Sequence, residues 1–278
     1  MTGELKQKVD RAIRLLQSTC KDKTAELSYS GGKDSDVILT LAKMAGINYR
    51  AIYKNTTIDP PGIIAHALAA GAEVIRPKKT FLQIIEEKGL PNRYRRFCCM
   101  ELKEYKILDT SIQGIRAAES AKRAARYKEP VVCRFFGSKK NRVETILPIL
   151  DWTAADVAEF VKEYGVRCHP LYYTEDGRFD ATRRLGCMGC PLSKDKGLAV
   201  FKRWPRLARA WIRALRKFRE THPNAKALLQ FRDEYEQFAY NLFFESLEDF
   251  YLATREDLFG NSVDCKKFLE DFFKIVLT

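Results

Sequence analysis

The sequence predicts an α/β protein with a doubly wound, mostly parallel sheet and a C-terminal helical region. Strand-like and helix-like runs alternate between residues 5 and 76, whereas only helical patterns follow Pro191. The chain has 278 residues, 46% of them hydrophobic, which is enough to bury a full core. We therefore predict an α/β domain over residues 1–195 and a basic helical region over residues 196–278.

Hydrophobic periodicity and the residues that begin and end each run predict the individual elements. Before residue 77 we expect helices over 5–17, 36–42 and 60–70 and strands over 25–29, 49–55 and 73–76. After Pro191 we expect helices over 198–219, 225–244, 247–254 and 265–276. Ligands of parallel sheets bind beyond the carboxyl ends of the strands. The loops after Tyr29, after Asn55 and around Gly114 are expected to converge there.

One hexapeptide, Ser30-Gly31-Gly32-Lys33-Asp34-Ser35, joins the first predicted strand to a helix. Two successive glycines let the backbone approach an anion, and the N–H groups of a helix start point at it. Lys33 adds a positive charge, and the serines add hydroxyl donors. The Walker spacing between glycines is absent. A glycine pair between serines is often only a turn, but the strand–loop–helix setting favours phosphate binding.

Four of the eight cysteines form two pairs, Cys98-Cys99 and Cys187-Met188-Gly189-Cys190. Neighbouring cysteines have difficulty placing both sulfurs on one tetrahedral zinc, whereas a cubane offers a separate iron to each thiolate. We predict a shared [4Fe-4S] cluster, with zinc as the alternative. The other cysteines are interpreted as ordinary thiols, namely Cys20, Cys133, Cys168 and Cys265.

The hexapeptide resembles the PP-loop of N-type ATP pyrophosphatases, and with the cysteine pairs it resembles the phosphoadenosine phosphosulfate (PAPS) reductase family. The resemblance covers about residues 25–211 and includes further segments in the family's order. These are Thr56-Thr57-Ile58-Asp59, Arg96-Phe97-Cys98-Cys99 with Leu102-Lys103, Gly114-Ile115-Arg116-Ala117-Ala118-Glu119-Ser120 with Arg123, and Pro148-Ile149-Leu150-Asp151-Trp152. It implies that residues 1–195 form a nucleotide-binding domain of the adenine nucleotide α-hydrolase-like fold.

The resemblance also implies the site residues. The residues expected to bind ATP are Ser30, Gly31, Gly32, Lys33, Asp34, Ser35, Thr57, Gly114 and Arg116. The residues expected to act in catalysis are Lys33, Asp34, Asp59, Lys103 and Arg116. Asp34 and Asp59 are expected to help hold Mg²⁺. The expected cluster ligands are Cys98, Cys99, Cys187 and Cys190.

An intact PP-loop implies an enzyme that cleaves ATP between the α and β phosphates to adenylate an acceptor, in sulfur transfer or nucleic-acid thiolation. A sulfur donor protein is then an expected partner. The Glu-Cys-Gly-Leu-His-like tail of the reductases is not found, and Cys265 is a poor candidate for their nucleophile. Two alternatives stay open: a sulfonucleotide (PAPS or adenylylsulfate) reductase with an external thiol, and a non-catalytic nucleic-acid-binding module.

The net charge of +13 is unevenly distributed. Eight basic residues lie within 202–219, and Arg93, Arg95 and Arg96 precede the first cysteine pair. Such stripes attract polyanions, so tRNA or DNA is an expected partner, with a solvated face as the alternative. No apolar run approaches a membrane span, and no signal peptide is evident, so we expect a cytoplasmic protein without a membrane partner.

Overall fold

A computed structural model describes residues 1–136, 141–255 and 262–277. Its strands are β1 (Ala25–Ser28), β2 (Tyr49–Lys54), β3 (Glu73–Ile75), β4 (Thr110–Ile112), β5 (Val131–Phe135) and β6 (Arg142–Ile146). Its α-helices are α1 (Gly3–Thr19), α2 (Lys33–Ala45), α3 (Ile63–Ala69), α4 (Phe81–Lys88), α5 (Phe97–Leu102), α6 (Ala121–Arg126), α7 (Ala154–Glu163), α8 (Leu198–Arg203), α9 (Pro205–Thr221), α10 (Glu234–Phe243), α11 (Leu247–Thr254) and α12 (Cys265–Phe273). Short 3-10 helices cover Ala117–Glu119, Pro170–Tyr172 and Lys226–Gln230.

The six strands form one sheet in the order β3-β2-β1-β4-β6-β5. β1 pairs in parallel with β2 and β4, β2 with β3, and β4 with β6, while β5 is antiparallel to β6. The strand order reverses beside β1, so the loop after β1 lies at a switch point of the sheet, where α/β proteins bind ligands. The predicted mostly parallel α/β fold with a helical C-terminal region is confirmed.

One face of the sheet carries the main core. Ala25 and Leu27 of β1 are fully buried there with residues of α1, α2 and α7. From α1 the stripe Leu5, Val9, Ala12 and Leu16 packs into this core at helical spacing. Burial of each large aliphatic side chain contributes roughly 1.5–3 kcal/mol. Because side chains alternate along a strand, Glu26 and Ser28 point to the opposite face.

The predicted elements before residue 77 are all present, with small shifts at their ends. α2 begins earlier than expected, at Lys33, with Gly32 as its N-cap, and ends at Ala45, followed by the C-cap Gly46, which has a φ of 64°. Strands β4, β5 and β6 were not predicted. β4 has only three residues, and polar residues interrupt the other two strands, so the apolar alternation that signals a strand is weak.

Two of the predicted C-terminal helices were wrong in extent. The helix expected over 198–219 is two helices, α8 and α9, separated at Trp204, whose φ and ψ are −127° and 72°. Pro205 causes the break, because proline lacks an N–H and disfavours helical conformation in the residue before it. The helix expected over 225–244 is a 3-10 turn followed by α10, which Asp233 caps.

The described residues form two compact units. Unit 1 comprises Met1–Asn55, Asp59–Pro77 and the described residues of Leu102–Gly186. Unit 2 comprises Thr56–Ile58, Lys78–Glu101 and the described residues of Cys187–Thr278. The sheet belongs to unit 1, and helices α4 and α8 to α12 belong to unit 2. The division at residue 195 stays a prediction.

Within the described ranges, none of the helices combines the length and the hydropathy that a bilayer span requires.

Candidate functional site

The loop of residues 30–35 lies in unit 1 between β1 and the first turn of α2. Gly31 has a φ of 71°, and a Cβ on it would lie 3.0 Å from Ile63 Cγ2, so any other residue there would be strained and would crowd Ile63. The Ser35 hydroxyl donates to Gly32 O over 2.6 Å, which holds the loop closed. The loop therefore presents the N–H groups and the positive dipole end of α2 as an anion site.

Lys33 is only 2% exposed and is held by groups of its own unit. Its Nζ lies 3.2 Å from Asp34 Oδ2, donates to Arg183 O over 3.2 Å, and sits 5.2 Å from the centre of the Tyr172 ring. Burial lowers the pKa of Lys33, and the Asp34 carboxylate partly offsets this effect.

Asp34 connects the loop to the segment around Gly114. Arg116 Nε lies 2.7 Å from Asp34 Oδ1, and Arg116 is 4% exposed. A Cβ on Gly114 would lie 2.8 Å from Asp34 O, so this segment can approach the loop only as glycine. The structure thus brings Gly114 and Arg116 to the loop, as expected. Asp34 Oδ1 faces Arg116 and Asp34 Oδ2 faces Lys33, and the Mg²⁺ contact of Asp34 stays a prediction.

Two further arginines lie near the ion pairs that Asp34 makes with Lys33 and Arg116, which we call the clamp. Glu119 accepts from Arg184 over 2.8 Å and pairs with Arg123, and Glu119 Oε2 accepts from the Arg116 backbone N–H over 3.3 Å. Burial and the charge of Arg184 lower the pKa of Arg123. Sequence reasoning assigned no role to Arg184. The adjacent basic residues Arg183-Arg184 before the second cysteine pair were the available signal.

A buried polar layer supports the loop from behind. Asp36 is 4% exposed and accepts from the Tyr29 hydroxyl, and His66 Nε2 lies 3.0 Å from Asp36 Oδ1. The rings of His66 and His169 meet edge to face at 5.7 Å. These contacts lie inside the unit and tie α2 to α3, which is a structural role for the two histidines.

A polar pocket of about 220 Å³ opens on the face of the sheet opposite the core. Ser30, Asp59 and Lys103 line it, so the pocket adjoins the first residue of the loop. The Tyr53 hydroxyl donates to Asp59 Oδ2 over 2.6 Å. Asp59 and Lys103 therefore share a pocket, while Asp34 sits with Arg116.

Buried charges fill the floor of this pocket. Glu26 is 3% exposed and lies 3.0 Å from Lys54 Nζ, which also donates to Tyr105 O. Arg134 donates to Gln113 Oε1 over 3.0 Å. Sequence reasoning missed these residues. The alternation of side chains along β1 could have indicated them, because it places a glutamate on the face of the sheet opposite the core.

All four paired cysteines belong to unit 2. Cys98 and Cys99 begin α5, and Cys187 and Cys190 flank a turn closed by the Cys190 N–H donating to Cys187 O over 3.3 Å. Arg93 connects the two regions by donating to Pro191 O and Ser193 O.

The other three paired cysteines affect the Cys98 thiol. A hydrogen bond with Cys99, burial, and charge at Cys99, Cys187 and Cys190 all raise the pKa of Cys98. Thiol donors are those of an iron–sulfur cluster, so the residue types fit such a group. Within residues 1–136, 141–255 and 262–277, no group of three or more His, Cys, Asp or Glu could hold a metal ion as placed.

Thr57 also lies in unit 2, in a strained backbone conformation with a φ of 60°. Its hydroxyl accepts from the Phe81 N–H over 2.8 Å at the start of α4. Nucleotide binding by Thr57 stays a prediction.

The basic helix α9 uses part of its charge inside unit 2. Arg216 pairs with Glu234 over 2.7 Å, Lys217 pairs with Glu86, and Arg219 donates to Phe231 O. These residues fasten α9 to its neighbours. Nucleic-acid binding by the basic stretch of residues 202–219 stays a prediction.

Comparison with known proteins gives a family match. The model of the phosphoadenosine phosphosulfate reductase domain matches residues 24–193. An uncharacterized protein of Methanocaldococcus jannaschii is 29% identical over 232 residues, which are 77% of this chain and 54% of that protein. An uncharacterized 37.8 kDa protein of Escherichia phage 186 is 31% identical over 159 residues, 51% of this chain and 44% of that protein. The chain spans about half the length of these curated relatives.

Two solved structures are distantly similar. PAPS reductase from Candida auris, in a phosphate complex, is 14% identical with a TM-score of 0.42, covering 67% of this chain and 96% of that chain. The U34-tRNA thiolase of Methanococcus maripaludis with its [4Fe-4S] cluster is 16% identical with a TM-score of 0.40, covering 80% and 82%. At such scores the likeness carries no argument about the present chain.

Proposed function

Because the chain belongs to the phosphoadenosine phosphosulfate reductase domain family, we propose that it is a PP-loop enzyme that cleaves ATP between the α and β phosphates to adenylate an acceptor. The observation that carries the proposal is the clamp at the start of α2. Two buried cations, Lys33 and Arg116, meet one carboxylate, Asp34, beside a helix N-terminus. Such a surplus of positive charge suits a bound polyphosphate.

In this reaction an acceptor oxygen attacks the α phosphorus, the bond from the α phosphorus to the bridging oxygen breaks, and pyrophosphate leaves with the electron pair. Lys33 and the N–H groups at the start of α2 stabilise the charge that develops on pyrophosphate. The Ser30 and Ser35 hydroxyls donate to Ser35 Oγ and Gly32 O and so shape the loop that holds it. Arg116 neutralises the α phosphate. Asp59 and Lys103 line the adjoining pocket, and Asp34 and Asp59 would help hold Mg²⁺.

We further propose that Cys98, Cys99, Cys187 and Cys190 hold a [4Fe-4S] cluster. The support is their location in one unit and the hydrogen bonds by which Arg93 joins their two segments. A bound cluster supplies iron atoms that accept one thiolate each. The four cysteines would then fasten the start of α5 to the 187–190 turn. A sulfur donor protein would deliver the sulfur that replaces AMP on the acceptor.

A sulfonucleotide reductase is the second candidate, because the matching family model bears that name. The structure gives no support to Cys265 as its nucleophile. Burial raises the pKa of the Cys265 thiol to about 11, and the side chain is 5% exposed. Calorimetric titration with ATP, PAPS and adenylylsulfate separates the candidates, because only the first proposal requires preferential binding and turnover of ATP.

We expect Lys33→Met to weaken ATP binding by about 10- to 150-fold, since a charged hydrogen bond to phosphate contributes roughly 1.5–3 kcal/mol. Methionine keeps the aliphatic stem that packs near Tyr172 and removes only the charge. Calorimetry with ATP and Mg²⁺ measures the effect. Lys43→Met, an exposed lysine near the end of the same helix, is the matched control and should bind ATP like wild type. Equal affinities for all three proteins would remove the loop from the nucleotide site.

We expect the anaerobically purified protein to contain about four irons per chain, as a cubane requires. Serine at position 98, 99, 187 or 190 should lower the iron content, because serine oxygen is a poor replacement for thiolate at iron. Iron analysis and the visible absorption spectrum measure this. Cys133→Ser removes an exposed thiol outside the set and should leave the iron unchanged. An iron-free protein after anaerobic reconstitution, or equal iron in all five variants, would refute the cluster.

A further inference from the structure

The turn before the first cysteine pair exposes an unusual side chain. Tyr94 is 97% exposed, the highest value among the large hydrophobic side chains of the described residues. Arg93, Arg95 and Arg96 flank it, and all three are exposed. Because this aromatic ring is exposed to water between three arginines, it contributes no burial energy to the stability of the fold.

The turn is held in one shape by its own backbone. The Asn92 side chain accepts from the Tyr94 N–H over 2.9 Å and from the Arg95 N–H over 2.8 Å. The Asn92 N–H donates back to Arg95 O over 3.3 Å. This Asx-type turn directs Tyr94 outward, so the ring is presented on a defined backbone.

The surroundings of the turn are basic and aromatic. The guanidinium of Arg95 and Nζ of Lys88 each lie 5.9 Å from the centre of the Phe97 ring. Arg96 donates to Cys99 Sγ over 3.7 Å, so the turn continues directly into the first cysteine pair. No acidic residue occurs between Lys88 and Met100 in the sequence, while Glu101, the next residue, pairs with Lys88. A positive strip with a projecting ring complements a strand that carries phosphates and unpaired bases.

We propose that the Asn92–Arg96 turn binds a single-stranded nucleic acid, with an unpaired base stacked on Tyr94 and neighbouring phosphates paired with the arginines. The surface differs from the α9 stripe expected from sequence, where part of the charge is used inside the unit. The inference rests on the proposed function and deepens it, because it names a nucleic-acid strand as the acceptor class beside the cysteine site.

Fluorescence anisotropy with labelled oligonucleotides tests this on the anaerobically purified full chain. Single-stranded DNA and RNA of one sequence, and their duplexes, are the probes. We expect at least one single strand to bind more tightly than its duplex. Tyr94→Leu should weaken that binding about 5- to 150-fold, the range for loss of one base–aromatic stack. Tyr94→Trp should preserve it, and the bound strand should quench the new indole.

Charge is tested by a matched pair of variants. Arg95→Gln and Arg206→Gln each remove one exposed positive charge from unit 2, at the turn and on α9. Only Arg95→Gln should lower the salt dependence of single-strand binding, by about 0.7 in the logarithmic slope. A larger effect of Arg206→Gln would overturn the placement and favour α9.

The proposal is also overturned if no strand binds at low salt, if duplex binds as well as single strand, or if Tyr94→Leu binds like wild type. A protein partner for the turn would give the first of these outcomes. Circular dichroism and iron content check that Tyr94→Leu is folded. If it is not folded, quenching of the indole in Tyr94→Trp still tests whether the strand stacks at position 94. If wild type binds ATP but no nucleic acid, only this inference is refuted. If wild type does not bind ATP, the proposed function is refuted.

Discussion

Gly197→Ala is expected to destabilise unit 2 by about 3 kcal/mol or more, because two penalties combine at one position. Gly197 has a φ of 86°, a conformation that side chains disfavour. A Cβ there would also lie 2.5 Å from the Cα and 2.8 Å from the carbonyl carbon of Gly189. Backbone cannot rotate aside as a side chain can, so the Cys187–Cys190 turn must shift. Urea denaturation followed by tryptophan fluorescence measures the loss, and the iron content should fall with it.

Gly177→Ala, in unit 1, is the control for the conformational cost alone. Gly177 has a φ of 76°, but nothing lies within 4 Å of an added Cβ, so only the conformational cost of roughly 1–2 kcal/mol applies. The difference between the two variants isolates the steric term. If both alanines cost the same, the close packing of Gly189 on Gly197 does not exist in solution.

Asp34→Ala is expected to destabilise the protein lacking nucleotide by about 3–5 kcal/mol, the usual cost of removing one partner of a buried ion pair. Lys33 and Arg116 are both buried, and both lose their carboxylate in this variant. Thermal unfolding measures the effect. Asp151→Ala removes an exposed partner of Arg11 and should change stability by no more than about 1 kcal/mol.

ATP gives this prediction a second test. If phosphates bind between Lys33 and Arg116, they replace the missing carboxylate, so ATP without Mg²⁺ should stabilise Asp34→Ala more than it stabilises wild type. Omitting Mg²⁺ separates this effect from any metal contact of Asp34. An equal shift of the unfolding temperature in both proteins would contradict the placement of phosphate at these two cations.

Local features were predictable from the sequence. The hexapeptide 30–35 combines glycines, serines and a helix start within six positions, and its conformation depends mainly on those residues. The α11 helix was predicted at its observed ends because Ser246 caps it locally. The predicted break-free helix over 198–219 failed at Pro205, although the proline was visible in the sequence. Proline disfavours helical conformation in the residue before it, so Trp204 interrupts the helix.

The sequence by itself determined the fold class, the anion loop and the two cysteine pairs, because each depends on neighbouring residues or on periodicity along the chain. Only the tertiary structure decided which charges meet. Asp34 pairs with Arg116, which is 82 positions away in the sequence, and Lys54 of β2 pairs with Glu26 of the neighbouring strand β1. The tertiary structure also decided that basic residues of α9 such as Arg216 form ion pairs within unit 2, and that the Tyr94 side chain is exposed to solvent. The physical reason is that backbone preference acts over a few residues, whereas burial and electrostatic pairing depend on distances in space that only folding sets.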